Sequence, residues 1–234
     1  MTPAYDATTP RLAAPQELPL PQAQPAAEGV LLPQGDLGRG ITLSAGETLY
    51  HQGDEVESAY LVASGLLALA VGASRGRVRV VDLAGPGDLV GAVSGRQERY
   101  LDTATALGPD TRVVAVPLDA GSDAARDLLD RAAAQRLERL TAQLEEEGVP
   151  VAARVAIAFA RLAERFGQEV ADGMVRLTLP ITHDTLAALV GAARETTSAA
   201  VQQLRRAGLI AGTRGRYLVL PRALRAFAQD ASLN

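Results

Sequence analysis

The chain has 234 residues, 47% of them hydrophobic, with a formal net charge of −4; that length allows one large domain or two small ones, and two is the expectation. No run of about 18 apolar residues occurs, and the N-terminus lacks the basic-then-apolar layout of a secretion signal, so a cytoplasmic protein with no membrane partner is expected. Cysteine and lysine are both absent, which excludes disulfides, thiolate zinc sites, a Walker or kinase lysine and Schiff-base catalysis.

Residues 1–35 carry Pro3, Pro10, Pro15, Pro19, Pro21, Pro25 and Pro33 among Ala and Gln, with little that could form a core. They read as a disordered or extended arm. The segment 36–120 has a different character. Short β-type runs (ITL, TLY, AYLVAS, LLALAV, RVRVVDL, DLVGAV, TATAL, RVVAVPL) recur between the turns "HQGDE", "ASG" and "GPGD". Such a succession predicts a small antiparallel barrel or jelly roll.

Residues 121–148 read as a helix in which Leu129, Ala133, Leu137, Leu140 and Leu144 are spaced 4, 4, 3 and 4 apart. These five form one apolar seam. A narrow seam can lie on the barrel or pair with a second copy, and in a helix linking two domains the second is expected.

Residues 149–234 open with a helix from Val151 to Phe166, carrying Val155, Ile157, Phe159 and Leu162, followed by the β-type "MVRLTLP". Then comes "ITHDTLAALVGAARETTSAAVQQLRRAGLI", two helices joined at Gly191. Thr182 is placed to cap the first helix, Asp184 favours its dipole, and Leu186, Leu189 and Val190 supply its buried face. Ala187 is small where the second helix must cross, so the unit has helix-turn-helix spacing. "LIAGTRGRYLVL" adds a hairpin, a wing with Arg214 and Arg216 at its tip. The fold class expected for the whole is α+β.

Charge agrees with this division. Residues 1–150 hold 12 arginines against 21 acids, whereas residues 151–234 hold 11 against 6. A basic C-terminal part on an acidic chain is what a nucleic-acid-binding appendage looks like, with chance segregation as the competing explanation. In a helix-turn-helix the first turn of the second helix enters the major groove, where Arg194 can donate twice to guanine and Glu195 can accept from cytosine N4. Ser198 lies one turn beyond Arg194 on the same face, and the small neighbours let the backbone approach. Thr182, His183, Thr196, Arg214 and Arg216 are the candidate phosphate contacts.

These residues resemble transcription factors of the cyclic-AMP receptor protein/FNR type, over about residues 38–220. The likeness is most specific in the threonine cap, the turn glycine, "RET" and the terminal "GLI" of the two-helix stretch. "LSAGETLYHQGD", "AYLVASG" and "GPGDLVG" look like that family's cyclic-nucleotide-binding double-stranded β-roll. The resemblance implies a homodimer clasped by the long helix, each subunit placing a recognition helix on promoter DNA, with RNA polymerase as a further partner. Arg194 and Glu195 match the family's base readers, and Ser198 a position used by some members. Ala199 stands where many members have another base-reading arginine, so at least one base preference should differ.

The effector site departs from the family pattern. Ala92 follows Gly91 where members that bind cyclic AMP have a ribose-binding glutamate. The phosphate-pairing arginine falls on Tyr100 if the alternation of Asp102, Ala104 and Ala106 sets the register, or on Arg99 if a bulge intervenes. Arg139 and Leu140 stand where the resemblance places adenine-contacting hydroxyl residues. The pocket of Gly91, Ala92, Arg99 and Tyr100 is therefore expected to be degenerate, with no required cofactor; gating by a cyclic nucleotide or another small ligand is the alternative.

Catalysis is not expected. A cupin-like enzyme needs clustered histidines, and His51 and His183, the only two, fall in different domains. No G-x-S-x-G elbow for serine hydrolysis occurs, and no metal site is expected.

Overall fold

The computed structural model describes residues 40–72, 78–91, 97–116, 123–144, 146, 148–213 and 215–232, which divide into two compact units between residues 145 and 146. The expected N-terminal arm, Ala92 and Arg214 lie outside the described residues.

The first unit contains β1 (Gly40–Leu43), β2 (Thr48–Tyr50), β3 (Ala59–Ser64), β4 (Leu67–Gly72), β5 (Val78–Ala84), β6 (Leu89–Val90), β7 (Thr103–Ala106), β8 (Thr111–Val116) and the helix α1 (Asp123–Leu144). The strands form two four-stranded antiparallel sheets, in the orders β1-β8-β3-β6 and β2-β7-β4-β5. Each strand alternates, so one side chain in two turns inward. Leu67 and Leu69 of β4 face Ala106 and Ala104 of β7 in register, and all four are buried. Together with Leu43, Tyr50, Tyr60, Val62, Val90, Tyr100 and Val113 they form the core of the roll.

Within "DLVGAV", β6 ends at Val90, before Gly91, where the backbone takes φ +89°, which side chains rarely adopt. A second, smaller cluster joins Ala59, Leu61, Leu89 and Val116 to Leu129 of α1. Leu129 is only 6% exposed within the single chain. Its place in the expected dimer seam is thus corrected: it packs on the roll.

The second unit contains α2 (Val151–Phe166), β9 (Gln168–Ala171), β10 (Met174–Thr178), α3 (His183–Val190), α4 (Arg194–Arg206), β11 (Ile210–Thr213), β12 (Arg216–Val219) and α5 (Pro221–Ser232). Its sheet has the order β11-β12-β10-β9. Helix α2 runs through the middle, with Val155, Phe159 and Leu162 buried and Phe159 edge-on to Tyr217 at 4.9 Å. Two elements lacked a clear sequence signal. Strand β9 is exposed at all four positions, so it shows no alternation. The apolar stripe of α5 is short, Ala223, Leu224, Phe227 and Ala228, after Pro221 at its first position. A bidentate ion pair from Arg225 to Glu164 at 2.6 Å ties α5 to α2.

Among the described residues, no helix is long and apolar enough to cross a membrane, and no three His, Asp or Glu residues are grouped to hold a metal ion.

Candidate DNA-binding surface and roll interior

Helix α3 begins at Thr182, whose hydroxyl accepts from the Thr185 amide at 3.1 Å, the cap that the sequence anticipates. It ends at Gly191 in the left-handed conformation (φ 62°, ψ 41°), and the Ala192 amide donates to the Ala187 carbonyl at 3.0 Å. Ala187 is buried at the crossing. From α2, the Arg154 guanidinium donates to the Val190 carbonyl at 2.5 Å and reaches that of Gly191 at 3.4 Å. The turn between α3 and α4 is thereby held from behind.

Helix α4 buries Thr197, Ala200, Val201 and Leu204, and the Thr197 hydroxyl donates back to the Ala193 carbonyl at 3.0 Å. Burying that stripe turns Arg194, Glu195 and Thr196 to the exposed side, with Ala199 and Gln202, while Ser198 is half-buried. Gln202, exposed one turn beyond Ser198, is a further polar side chain on α4 at i+4 spacing from it.

Two of the three anticipated base readers touch the first turn of α3. The Asp184 carboxylate lies 3.4 Å from Arg194, both well exposed. The His183 Nδ1 lies 2.9 Å from the Ser198 hydroxyl. His183 was anticipated only as a phosphate contact, and its link to Ser198 spans 15 residues of chain.

The wing is β11 and β12, paired from Ile210 with Val219 to Thr213 with Arg216. Arg216 is exposed at its end, while Arg205 of α4 donates to the Gly212 carbonyl at 2.7 Å and fixes the wing to the helix.

Inside the roll, the alternation of Asp102, Ala104 and Ala106 extends to Tyr100, which is 4% exposed. Tyr100 therefore occupies the inward position. Arg99 points outward, exposed, and donates to the Gly53 carbonyl at 2.7 Å. The Tyr100 ring stacks on Tyr50 at 4.0 Å, and Tyr50 on Tyr60 at 6.0 Å. The Tyr100 hydroxyl donates to the Ser58 carbonyl at 3.0 Å. A Cβ at Gly91 would stand 3.1 Å from both the Tyr100 ring and the Ser58 carbonyl, so the backbone at Gly91 is closely covered.

Two arginines from α1 complete this interior. Arg136 pairs with Asp102, which is 1% exposed and also accepts from the Tyr50 hydroxyl at 3.0 Å. Arg139 pairs with Asp82 at 2.7 Å and lies 3.7 Å from Asp88. Burial raises the Tyr50 and Tyr60 phenols well above their usual range, and burial also pulls Arg136 down from its own. Leu140, next to Arg139, is half-buried. About a quarter-turn around α1 from Arg136, Leu137 and Leu144 are each 66% exposed, with Ala133 half-buried beside them.

A winged helix-turn-helix joined to a roll of this topology defines a transcriptional regulator with a cyclic-nucleotide-binding-type domain. Family models match both parts: the cyclic nucleotide-binding domain over residues 41–126 and the Crp-like helix-turn-helix domain over residues 153–227. The chain belongs to the CRP/FNR family of transcriptional regulators. It is similar to a CRP-like cAMP-activated global transcriptional regulator of Mycobacterium tuberculosis, 29% identical over 178 residues that cover 73% of this chain and 79% of the relative. The transcriptional regulator SdrP of Thermus thermophilus is 28% identical over 190 residues, covering 77% of this chain and 89% of that one. Among solved structures, a CRP/FNR-family regulator of Thermus thermophilus superposes with a TM-score of 0.68 at 26% identity, over 82% of this chain and 100% of the other.

Proposed function

We propose that this regulator binds a near-palindromic promoter site as a homodimer and does so without cyclic AMP. Its base readers are Arg194, Glu195 and Ser198; Thr182, His183, Thr196, Arg214 and Arg216 hold the phosphates; and Leu137 and Leu144 face the partner copy, with RNA polymerase the further partner on the promoter. The protein is a binding module and not an enzyme.

The observation that carries independence from cyclic AMP is the position of Tyr100. It is buried and stacked on Tyr50 at 4.0 Å, where the family resemblance calls for a phosphate-pairing arginine, and Arg99 is turned outward. A cyclic phosphate buried there would lack a charge partner, a loss that costs several kcal/mol in a site shielded from water. Arg136 and Arg139 instead spend their charge on Asp102 and Asp82 of the same chain. The Mycobacterium relative is cAMP-activated by its name, so the two proteins would differ in gating.

The test is a titration of a selected operator with and without millimolar cyclic AMP at fixed salt, since affinity falls steeply with ionic strength. Equal affinity is expected. A gain of about tenfold, equivalent to about 1.4 kcal/mol of differential binding, would overturn the reading.

A further inference from the structure

We infer that His183 is a positioning residue that sets the hydrogen-bond polarity of Ser198, so that Ser198 meets the base edge as an acceptor. The inference rests on the assignment of α4 as the reading helix and adds what one of its residues is permitted to read.

A serine hydroxyl has one proton and two lone pairs, and it can turn to donate or to accept. Here that freedom is removed, because Ser198 Oγ lies 2.9 Å from His183 Nδ1. A neutral imidazole has one N–H, on one of its two nitrogens. With the proton on Nδ1, the ring donates to Oγ and leaves the serine proton for the base. With the proton on Nε2, Nδ1 accepts a hydrogen bond from the serine hydroxyl, and only the oxygen lone pairs remain for the base.

The second nitrogen decides between these states. Among the described residues His183 Nε2 has no hydrogen-bond partner, and the ring stands at the first position of α3, directly after the exposed cap Thr182. A phosphate oxygen on DNA accepts and does not donate. When the ring is neutral and donates from Nε2 to a phosphate, Nδ1 is the acceptor and the Ser198 hydroxyl donates its hydrogen bond to it. In the major groove, acceptor-only Ser198 can pair with the amino groups of adenine N6 or cytosine N4, and not with N7, O6 or O4. A backbone contact is in this way converted into a base preference.

The experiment uses the full-length chain in a DNA selection, comparing wild type with Ser198→Ala, His183→Ala and Arg194→Ala. The base pair whose preference is lost in Ser198→Ala is then rebuilt with analogues, one lacking the major-groove amino group and one lacking purine N7. Deleting the amino group should weaken wild-type binding about fivefold, the scale of one neutral hydrogen bond, and leave Ser198→Ala unmoved. Deleting N7 should leave the wild type unmoved. In His183→Ala the difference between the two analogues should collapse, because the freed hydroxyl donates or accepts as required, whereas His183→Gln, whose amide can again both accept and donate, should restore it. A purely structural role for His183 would lower affinity for both analogues alike.

Loss of wild-type affinity on N7 deletion, or an unchanged analogue preference in His183→Ala, would overturn the inference. In either case the DNA-reading assignment survives if Arg194→Ala still relaxes its own position. If the wild type selects no sequence at all, that assignment fails, and the inference with it.

Discussion

Arg154 reaches from α2 to the carbonyls of Val190 and Gly191, the acceptors left open at the end of α3, and sets a positive charge against the negative end of that helix dipole. Truncating it removes a charged hydrogen bond and leaves a partly buried carbonyl without its donor. Arg154→Ala should therefore lower the stability of the second unit by about 1 to 3 kcal/mol, read as a shift of the urea midpoint at unchanged slope. Two buried tyrosines of the roll, Tyr50 and Tyr60, make a prediction about pH. Unfolded tyrosine ionises near pH 10, while burial holds the Tyr50 and Tyr60 phenols protonated well beyond that. Above about pH 10 the unfolded chain binds fewer protons than the folded one, so stability is full below that pH and falls as pH rises further. Phe in place of Tyr60 should flatten this alkaline loss in pH-dependent thermal melts.

At the scale of the element, α1 has two sides with different work. With about 100° between successive residues, Leu129, Ala132, Arg136, Arg139 and Gln143 share one side, and Leu137 and Leu144 lie about 80 to 100° around from Arg136. The first side packs on the roll through Leu129 and through the pairs of Arg136 with Asp102 and Arg139 with Asp82. Removing one partner of a buried pair is far costlier than replacing both. Arg136→Met should destabilise the roll by about 3 to 5 kcal/mol, and Arg136→Met with Asp102→Leu by clearly less, a difference that a double-mutant cycle measures. The second side leaves Leu137 and Leu144 exposed. Changing both to Glu should yield a monomer by sedimentation that binds half-sites weakly, while the roll keeps its melting temperature because neither residue is part of its core.

For the whole molecule, the division of charge governs affinity and salt response. The excess of arginine in residues 151–234 draws phosphate, whereas the acidic remainder of the chain does not. Arg216, exposed at the wing, is a phosphate contact on this reading. Arg216→Ala should weaken all sequences alike and make the slope of log affinity against log salt shallower by about 1 per half-site. Arg194→Ala should instead cost about 1 to 3 kcal/mol per half-site and relax the preference at one G·C pair. A sequence logo that is unchanged in Arg194→Ala would remove that arginine from the set of base readers. Two such recognition helices in a dimer should present themselves about 34 Å apart, one turn of the duplex.

Much of the fold was legible because its signals are short-ranged. The Thr182 cap, the Gly191 turn and the apolar positions of α3 and α4 act within a turn or two of helix, and the β-type runs between glycine turns act within a strand period. Such features survive reading one residue after another. What tertiary structure decided depends on which faces meet. Alternation pointed Tyr100 inward, but the possibility of a bulge left Arg99 open until the packing of Tyr100 on Tyr50 settled it. Leu129 carried the same spacing signal as Leu137, and only the nearness of Leu61, Leu89 and Val116 buried the first and left the second exposed. The Arg136–Asp102 pair and the His183–Ser198 bond join residues 34 and 15 apart in the chain. A periodicity names the face on which a side chain lies. The partner it meets there is set by how sheets and helices close on one another, and that long-range geometry left no local mark in the sequence.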